Sequence, residues 1–147
     1  MSDQATPSDP LALIRGINAT AAFNRWCGFE VVAAGEGRAE IGMDWRDDLG
    51  QYSGFLHAGL IGALIDTACG CAASTVVGRV LASHYAVNCM RPAVGERFIA
   101  RARVVKPGRT QVFTTCELYA VSGGAERLVA TGETLLTPVA ATALAPA

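Results

Sequence analysis

The sequence predicts an α+β domain in which one long apolar helix packs on a curved antiparallel sheet of five to six strands. Residues 58–78 form the one long segment with helical character. Short segments rich in β-branched residues lie on both sides of it, separated by turns that contain glycine or proline. Helices and strands do not alternate along the chain, which argues against a parallel sheet.

The predicted elements comprise a short N-terminal helix, two strands, the long helix and four further strands. Asp9 and Pro10 provide the N-cap and first residue of the short helix, which we expect to continue irregularly to Trp26. Ile41 and Met43 alternate with charged residues, as in a half-buried strand of a hairpin. The predicted strands are FEVVAA, RAEIGMDW, VLASHYAVNCM, ERFIARARVV, QVFTTCELYAV and ERLVATGETLL, the last four joined as an antiparallel meander.

The 147 residues suffice for one hydrophobic core without disulfides or structural metals. We expect a flexible leader over residues 1–8, a single domain over residues 9–137 and a flexible tail over residues 138–147. The start of the chain lacks the basic and apolar segments of a secretion signal, and glycines interrupt the most apolar stretch. These features predict a cytoplasmic protein that does not enter a membrane.

The composition limits the partners and cofactors. A formal charge of −1, from 12 basic and 13 acidic residues, gives no positive field that would attract nucleic acid. Because 51% of residues are hydrophobic and only 17% are charged, we expect subunits to bury surface against each other, as a homodimer or as a homotetramer of two dimers. The five cysteines lack the paired spacing of metal sites, so we predict reduced thiols, no metal and no cofactor.

Asp66 is the one charged residue within the long apolar helix. A buried, ionised carboxylate without partners is strongly disfavoured, so this acid must be solvated or used. Gly59, Gly62 and Gly70 lie one or two turns from Asp66 and leave an almost bare stripe beside it. The stripe is either a substrate slot or a contact surface for a neighbouring element, in which case Asp66 hydrogen-bonds a nearby main-chain N–H.

The beginning of the long helix offers main-chain donors. The N–H groups of Ala58 and Gly59 lie at the positive end of the helix dipole, where such donors can hold an oxyanion. Asp66 follows Ala58 by about 12 Å of helix, which is too far for both groups to contact one carbonyl. Two antiparallel helices related by a two-fold axis would bring Asp66 of one subunit to Ala58 of the other, so we expect catalysis to require the dimer.

Taken in order, these residues resemble the motif of one family. Gln51, His57, Ala58, Gly59 and Asp66 resemble the pattern of hotdog-fold acyl-CoA thioesterases of the phenylacetic-acid-degradation type, which is Asn or Gln, then His-Gly-Gly, then Asp or Glu on the long helix. Two further segments support the resemblance, which spans about residues 28–137. They are a strand that ends in Arg91-Pro92-Ala93 and the turn Lys106-Pro107-Gly108-Arg109-Thr110.

The resemblance implies hydrolysis of an acyl-CoA, with coenzyme A as part of the substrate, and assigns a role to each residue. Asp66 would attack the thioester carbonyl or activate water, Gln51 would position that water or the thioester, and the Ala58 N–H would bind the oxyanion. Ala58 stands where the family's His-Gly-Gly motif has its first glycine, but the family uses the main-chain N–H at this position, and alanine also provides one. His57 would more often be an orienting or helix-start residue in this setting than a proton carrier, since a lone histidine beside apolar residues is usually structural.

The same resemblance suggests substrate contacts outside the helix. Arg91, Lys106 and Arg109 would meet the phosphates of coenzyme A, with Gly108 shaping the turn between the last two. Ser83 is the nearest hydroxyl to a position where family members carry one, although counting back from Pro92 reaches Ala82 instead. The acyl group itself is not readable from the motif.

Two other functions are compatible with such a chain. A non-catalytic acyl-CoA sensor would need the same groove and cations but no acid at the thioester, and the presence of Asp66 argues against it. A hotdog-fold dehydratase or hydratase would pair its histidine and acid differently, usually with the acid first or at a wider separation. The order of His57 and Asp66 favours the thioesterase.

Overall fold

The structure, a computed structural model, describes residues 9–140. The helices are α1 (Pro10–Thr20), α2 (Ala22–Cys27) and α3 (Ala58–Val77), with a single 3-10 turn at Asp47–Leu49. The strands are β1 (Glu30–Gly35), β2 (Arg38–Asp44), β3 (Val80–Cys89), β4 (Arg97–Lys106), β5 (Val112–Ser122) and β6 (Ala125–Pro138). The predicted leader lies outside the described residues, as does the predicted tail from residue 141 onward.

The six strands form one antiparallel sheet in the order β1-β2-β4-β5-β6-β3. The α+β prediction is therefore confirmed, and β4, β5 and β6 form a meander as expected. The predicted place of β3 within that meander is wrong, because β3 pairs with β6 rather than with β4. The 20 residues of α3 span about 30 Å, and this length carries the chain across the sheet to its far edge before β3 begins.

Helix α3 fills the concave side of the sheet and contacts all six strands. Its buried face includes Ile61, Leu64, Ile65 and Ala68, which recur at helical spacing. In length and hydropathy alone α3 would be able to cross a membrane, but here this face packs against the inner side chains of the strands. Asp66 follows directly after Ile65, so the packing of this face fixes the direction of the acid.

The N-terminal helices lie on the side of α3 that the sheet leaves open, where α1 packs mainly on β1 and touches α3, and α2 packs on α1. The Asp9 side chain caps α1 by accepting a hydrogen bond of 3.1 Å from the Leu11 N–H, which confirms the predicted start. The irregular continuation is a second helix, because Ala21 is extended and separates α1 from α2. Gly28, with φ of +75°, ends α2 in the left-handed conformation that glycine adopts without strain.

Strand β3 lies at the edge of the sheet, and in residues 9–140 only its β6 side carries a paired strand. Leu81 and Tyr85 on this strand remain 51% and 52% exposed. A bulge between Ala82 and His84 shifts the register, so Ser83 has no direct partner on β6. An exposed apolar edge strand of this length is a template for pairing with another chain.

A close approach of α3 to the sheet, at Gly132 of β6, generates a stability prediction. A Cβ atom added at Gly132 of β6 would lie 2.7 Å from Ile65 Cγ2 and 2.8 Å from the Ala86 carbonyl oxygen. We expect Gly132→Ala to lower the free energy of unfolding by about 1–3 kcal/mol, because backbone or core must shift to admit the methyl group. Urea denaturation measures the effect.

The same substitution at Gly16 is the matched control. Gly16 lies in α1, and an added Cβ there would meet no atom within 4 Å. Gly16→Ala is expected to raise the free energy of unfolding by about 0.5–1 kcal/mol through helix propensity. Equal effects of the two substitutions would contradict the tight approach at Gly132.

Candidate active site

Asp66 lies near the middle of α3 and faces a cavity of about 290 Å³ between α3, the N-terminal helices and the start of β3. Its Oδ1 atom is buried and accepts no hydrogen bond from residues 9–140. Burial raises the pKa of this carboxyl above its ordinary value of 3.8. The cavity is lined by Ile14, Ile17, Asn24, Asp66, Thr67, Gly70, Cys71, Ser74, Val80, Leu81, Ala82 and Leu136. The acid thus opens onto space large enough for a ligand.

The glycine stripe beside Asp66 has two different roles along its length. A Cβ atom at Gly62 would lie 3.2 Å from Cε2 of Tyr85, so the ring of this β3 residue packs directly on the helix there. At Gly70, one turn beyond Asp66, an added Cβ would meet nothing within 4 Å. The contact interpretation therefore holds at Gly62, while the open slot lies at Gly70.

The start of α3 is capped by a side chain that the sequence pattern did not identify as a cap. His57 Nδ1 accepts a hydrogen bond of 2.9 Å from the Gly59 N–H. A Cβ atom at Gly59 would lie only 3.0 Å from this nitrogen, so glycine permits the close contact. The expectation of two free donors is wrong for Gly59. The Ala58 N–H remains available, since it has no acceptor in the described part of the chain.

A second cavity, also about 290 Å³, lies at the start of α3. Gln51 reaches it from a tight loop in which its Oε1 accepts a hydrogen bond from the Ser53 N–H, so its amide nitrogen remains a donor. Arg91 reaches it from the end of β3 and donates from Nη1 to the Leu128 carbonyl oxygen over 2.7 Å. This cavity is lined by Gln51, Phe55, Leu56, Ala58, Ile61, Cys89, Met90, Arg91, Pro92 and Ala93.

Three of the predicted catalytic residues, Asp66, Gln51 and Ala58, therefore occupy two clefts in one chain, while His57 and Gly59 line neither. Asp66 lines the first cavity, whereas Gln51 and Ala58 line the second, and the two cavities share no residue. The separation follows from the helix, which places Asp66 about 12 Å beyond Ala58. Each chain presents two halves of the predicted site, and the halves do not meet within it.

Ser83 does not reach the Asp66 cavity. Its hydroxyl donates a hydrogen bond of 3.1 Å to the Leu135 carbonyl oxygen, while its neighbour Ala82 lines the cavity. The bulge in β3 produces this arrangement by turning Ser83 out of the regular alternation of the strand.

The predicted phosphate-binding cations lie toward opposite ends of the chain's sheet. Lys106 of β4 lies opposite Phe113 of β5, Phe113 lies opposite Leu135 of β6, and Leu135 lies opposite His84 of β3. Lys106 is therefore level with the first half of β3. Arg91 instead lies two residues beyond Cys89, the last residue of β3. Gly108 allows the tight turn beyond Lys106, because a Cβ atom there would overlap the Gln111 carbonyl oxygen; Arg109, in the same turn, is exposed.

Four residues with polar side chains on the Asp66 cavity were not predicted as site residues from the sequence: Asn24, Thr67, Cys71 and Ser74. Asn24 of α2 lies on this cavity and donates to Asn18 Oδ1 over 2.9 Å, and its polarity within an apolar segment was the available signal. Thr67 lies next to Asp66 in the chain. Burial raises the pKa of the Cys71 thiol to about 12, with smaller contributions from the charges of Cys69 and Asp66. The thiol therefore stays protonated at neutral pH. Asp66 is the better candidate for a base or nucleophile.

Comparisons with known proteins identify the family and the fold. The family model described as Thioesterase superfamily matches residues 53–126. A thioesterase family protein from Silicibacter pomeroyi is 37% identical, with 88% of this chain and 97% of that chain covered at a TM-score of 0.84. No curated protein matches the sequence significantly.

Two more distant solved structures support the fold alone. A conserved protein from Pseudomonas aeruginosa is 24% identical, covers 84% of this chain and 98% of its own, and gives a TM-score of 0.76. A thioesterase from Haemophilus influenzae is 23% identical; the match covers 86% of this chain and 88% of that chain, also with a TM-score of 0.76. The long helix wrapped by a six-stranded antiparallel sheet is the hotdog fold.

The burial of Asp66 predicts a pH-dependent gain in stability on neutralising it. Folding raises the pKa of the carboxyl, so the folded protein loses stability as pH rises above the unfolded value of about 3.8. We therefore expect Asp66→Asn to have a higher melting temperature than wild type at pH 7, with the difference disappearing below about pH 3. Scanning calorimetry at several pH values measures this.

The exposed acid Glu133 on β6 provides a control for that experiment. Glu133→Gln is expected to change stability by no more than about 0.5 kcal/mol. A lower melting temperature for Asp66→Asn at pH 7 would show that the carboxylate has a stabilising partner and would contradict the description of the site.

Proposed function

Because the chain belongs to the thioesterase superfamily, we propose that it hydrolyses an acyl-CoA to a free acid and coenzyme A, as in the phenylacetic-acid-degradation type. The observation that carries this proposal is the Asp66 carboxylate, whose buried Oδ1 has no partner in residues 9–140 and which faces an open cavity. A carboxylate with no structural partner is available for chemistry, and its raised pKa makes it a stronger base than an exposed aspartate.

The reaction needs a nucleophile, a donor for the developing oxyanion and a way to protonate the leaving thiolate. Asp66 either removes a proton from water that adds to the carbonyl carbon, or attacks that carbon itself to form an anhydride that water then hydrolyses. In both routes the carbon–sulfur bond breaks and the sulfur of coenzyme A leaves as a thiolate, which takes the proton held by Asp66 in the first route and a proton from water in the second. The Ala58 N–H, at the positive end of α3, holds the carbonyl oxygen as its charge develops.

Two copies of the chain complete the site in this proposal. The exposed edge of β3 pairs antiparallel with β3 of a second copy, which sets the two α3 helices antiparallel about a two-fold axis. The cavity containing Asp66 then meets the cavity of the partner subunit that contains Gln51 and Ala58. This arrangement explains why one chain carries two separate half-sites and why β3 exposes apolar side chains.

The same two-fold axis gathers the cations. Arg91 follows the end of β3, and Lys106 and Arg109 lie toward its beginning, so antiparallel pairing of two β3 strands brings Arg91 of one subunit toward Lys106 and Arg109 of the other. These side chains suit the phosphates of coenzyme A. His57 acts by fixing the start of α3 through its bond to the Gly59 N–H, and Gln51 presents its amide nitrogen to the thioester or the water.

The experiment compares wild type with Asp66→Asn on acyl-CoAs of different sizes and follows release of the free thiol. We expect wild type to turn over and Asp66→Asn to lose about a hundred- to ten-thousandfold in kcat, with KM changed little, since the carboxylate acts on the reacting atoms. The rate of wild type should fall as pH decreases through a pKa above 3.8, because only the ionised acid is active.

Ser83→Ala is the matched control within the same region, and its rate should stay within a few fold of wild type because the hydroxyl is engaged with Leu135. If both wild type and Asp66→Asn bind acyl-CoA tightly without turnover, the chain is a binding protein and the proposed hydrolysis is wrong.

A further inference from the structure

A third cavity, of about 540 Å³, continues from the cavity that contains Asp66. The two cavities share Ile17, Ser74 and Val80 as lining residues, so they are adjacent. We call the two together the acyl groove. The third cavity is lined by Ala12, Leu13, Gly16, Ile17, Thr20, Ser74, Arg79 and Val80.

The floor of the acyl groove is the face of α3 that follows Asp66. Asp66, Gly70 and Ser74 are four residues apart, so they lie above one another on successive turns of the helix. From Asp66 to Ser74 the groove follows about 12 Å of helix. Gly70 lies between them and leaves the passage open, because no atom lies within 4 Å of the position that a Cβ would take.

The walls of the acyl groove are largely apolar. One wall consists of Leu13 and Ile17 of α1, which remain 54% and 47% exposed. The other wall is formed by Val80 and Leu81 at the start of β3. Asp66 is the one acid on the groove, and the exposed cation Arg79 lies beside Val80 on the third cavity. Apolar side chains on both walls between these charges suit a ligand that has one polar reacting group and a long apolar extension.

We propose that the acyl groove binds a straight aliphatic acyl chain of roughly eight to ten carbons, that Gly70 keeps the passage open beyond Asp66, and that Ile17 limits the width of the groove. The proposal rests on the proposed function, which places the thioester carbon at Asp66. Since a carbon–carbon bond of about 1.5 Å advances an extended chain by roughly 1.25 Å, about 12 Å of groove accepts roughly nine methylenes. Each buried methylene should improve affinity about fourfold until the groove is full.

The test measures binding and turnover separately. Affinities for butanoyl-, octanoyl- and dodecanoyl-CoA are measured by calorimetry in the Asp66→Asn background, so that binding is observed without hydrolysis. Affinity is expected to rise steeply from butanoyl to octanoyl and to level off by dodecanoyl, which exceeds the groove. Free coenzyme A serves as the reference ligand that does not enter the acyl groove.

Adding Gly70→Leu to this background should block the passage. Octanoyl-CoA is expected to bind roughly fiftyfold more weakly or worse, while butanoyl-CoA stays within about threefold of the unblocked protein. Ile17→Trp, which narrows the groove from α1, should show the same selectivity and covers the case in which Gly70→Leu fails to fold. Ala19→Trp, at an exposed position of α1 outside the groove, should bind all three thioesters normally.

The outcomes separate the groove from the reaction. Equal affinities for butanoyl- and octanoyl-CoA, or an equal loss for both in Gly70→Leu and Ile17→Trp, would overturn the acyl groove. If the affinities follow the expected pattern but wild type hydrolyses none of the thioesters, the acyl groove is supported and only the proposed thioesterase activity is overturned.

Discussion

A carboxyl group in the middle of an apolar helix, with one oxygen buried and unpartnered among residues 9–140, is the feature on which the functional interpretation of this fold depends. Burying an ionised group without compensation is costly, and here the cost appears as the raised pKa of Asp66. The surrounding packing maintains the arrangement, since Leu64 and Ile65 beside it are fully buried against the sheet. The packing of these neighbours directs Asp66 toward the cavity beside α3.

The geometry of the α-helix then separates the chemical groups. The Ala58 N–H needs to lie at the start of α3, where main-chain donors are unpaired, whereas Asp66 lies where the N-terminal helices leave space beside the helix. About 12 Å of helix lies between them, so no rotation of side chains joins them within one chain. In the proposed dimer, a two-fold axis through the exposed strand β3 would resolve this constraint, which would connect the sheet topology to the proposed chemistry.

Local sequence patterns predicted the features that depend on neighbouring residues. The Asp9 cap, the long helix and all six strands follow from residue types within one element, and the structure confirms them. The place of β3 beside β6 was not predictable in this way, because it depends on where α3 ends across the sheet. The bulge that turns Ser83 away from Asp66 and the approach of Asn24 from α2 also arise from tertiary packing. Likewise, spacing drew attention to His57, but only coordinates show that its ring caps the Gly59 N–H.

The central claim, that one site is built from two chains, is tested most directly by mixing two inactive variants. Asp66→Asn removes one half-site and Gln51→Ala impairs the other, so each homodimer should be nearly inactive. Co-refolding the two in equal amounts gives heterodimers in which one of the two sites combines an intact Asp66 with an intact Gln51. Since half of the dimers are then mixed, about a quarter of wild-type activity should return. If the mixture shows only the sum of the two residual activities although heterodimers form, both residues act within one chain and the shared site is contradicted.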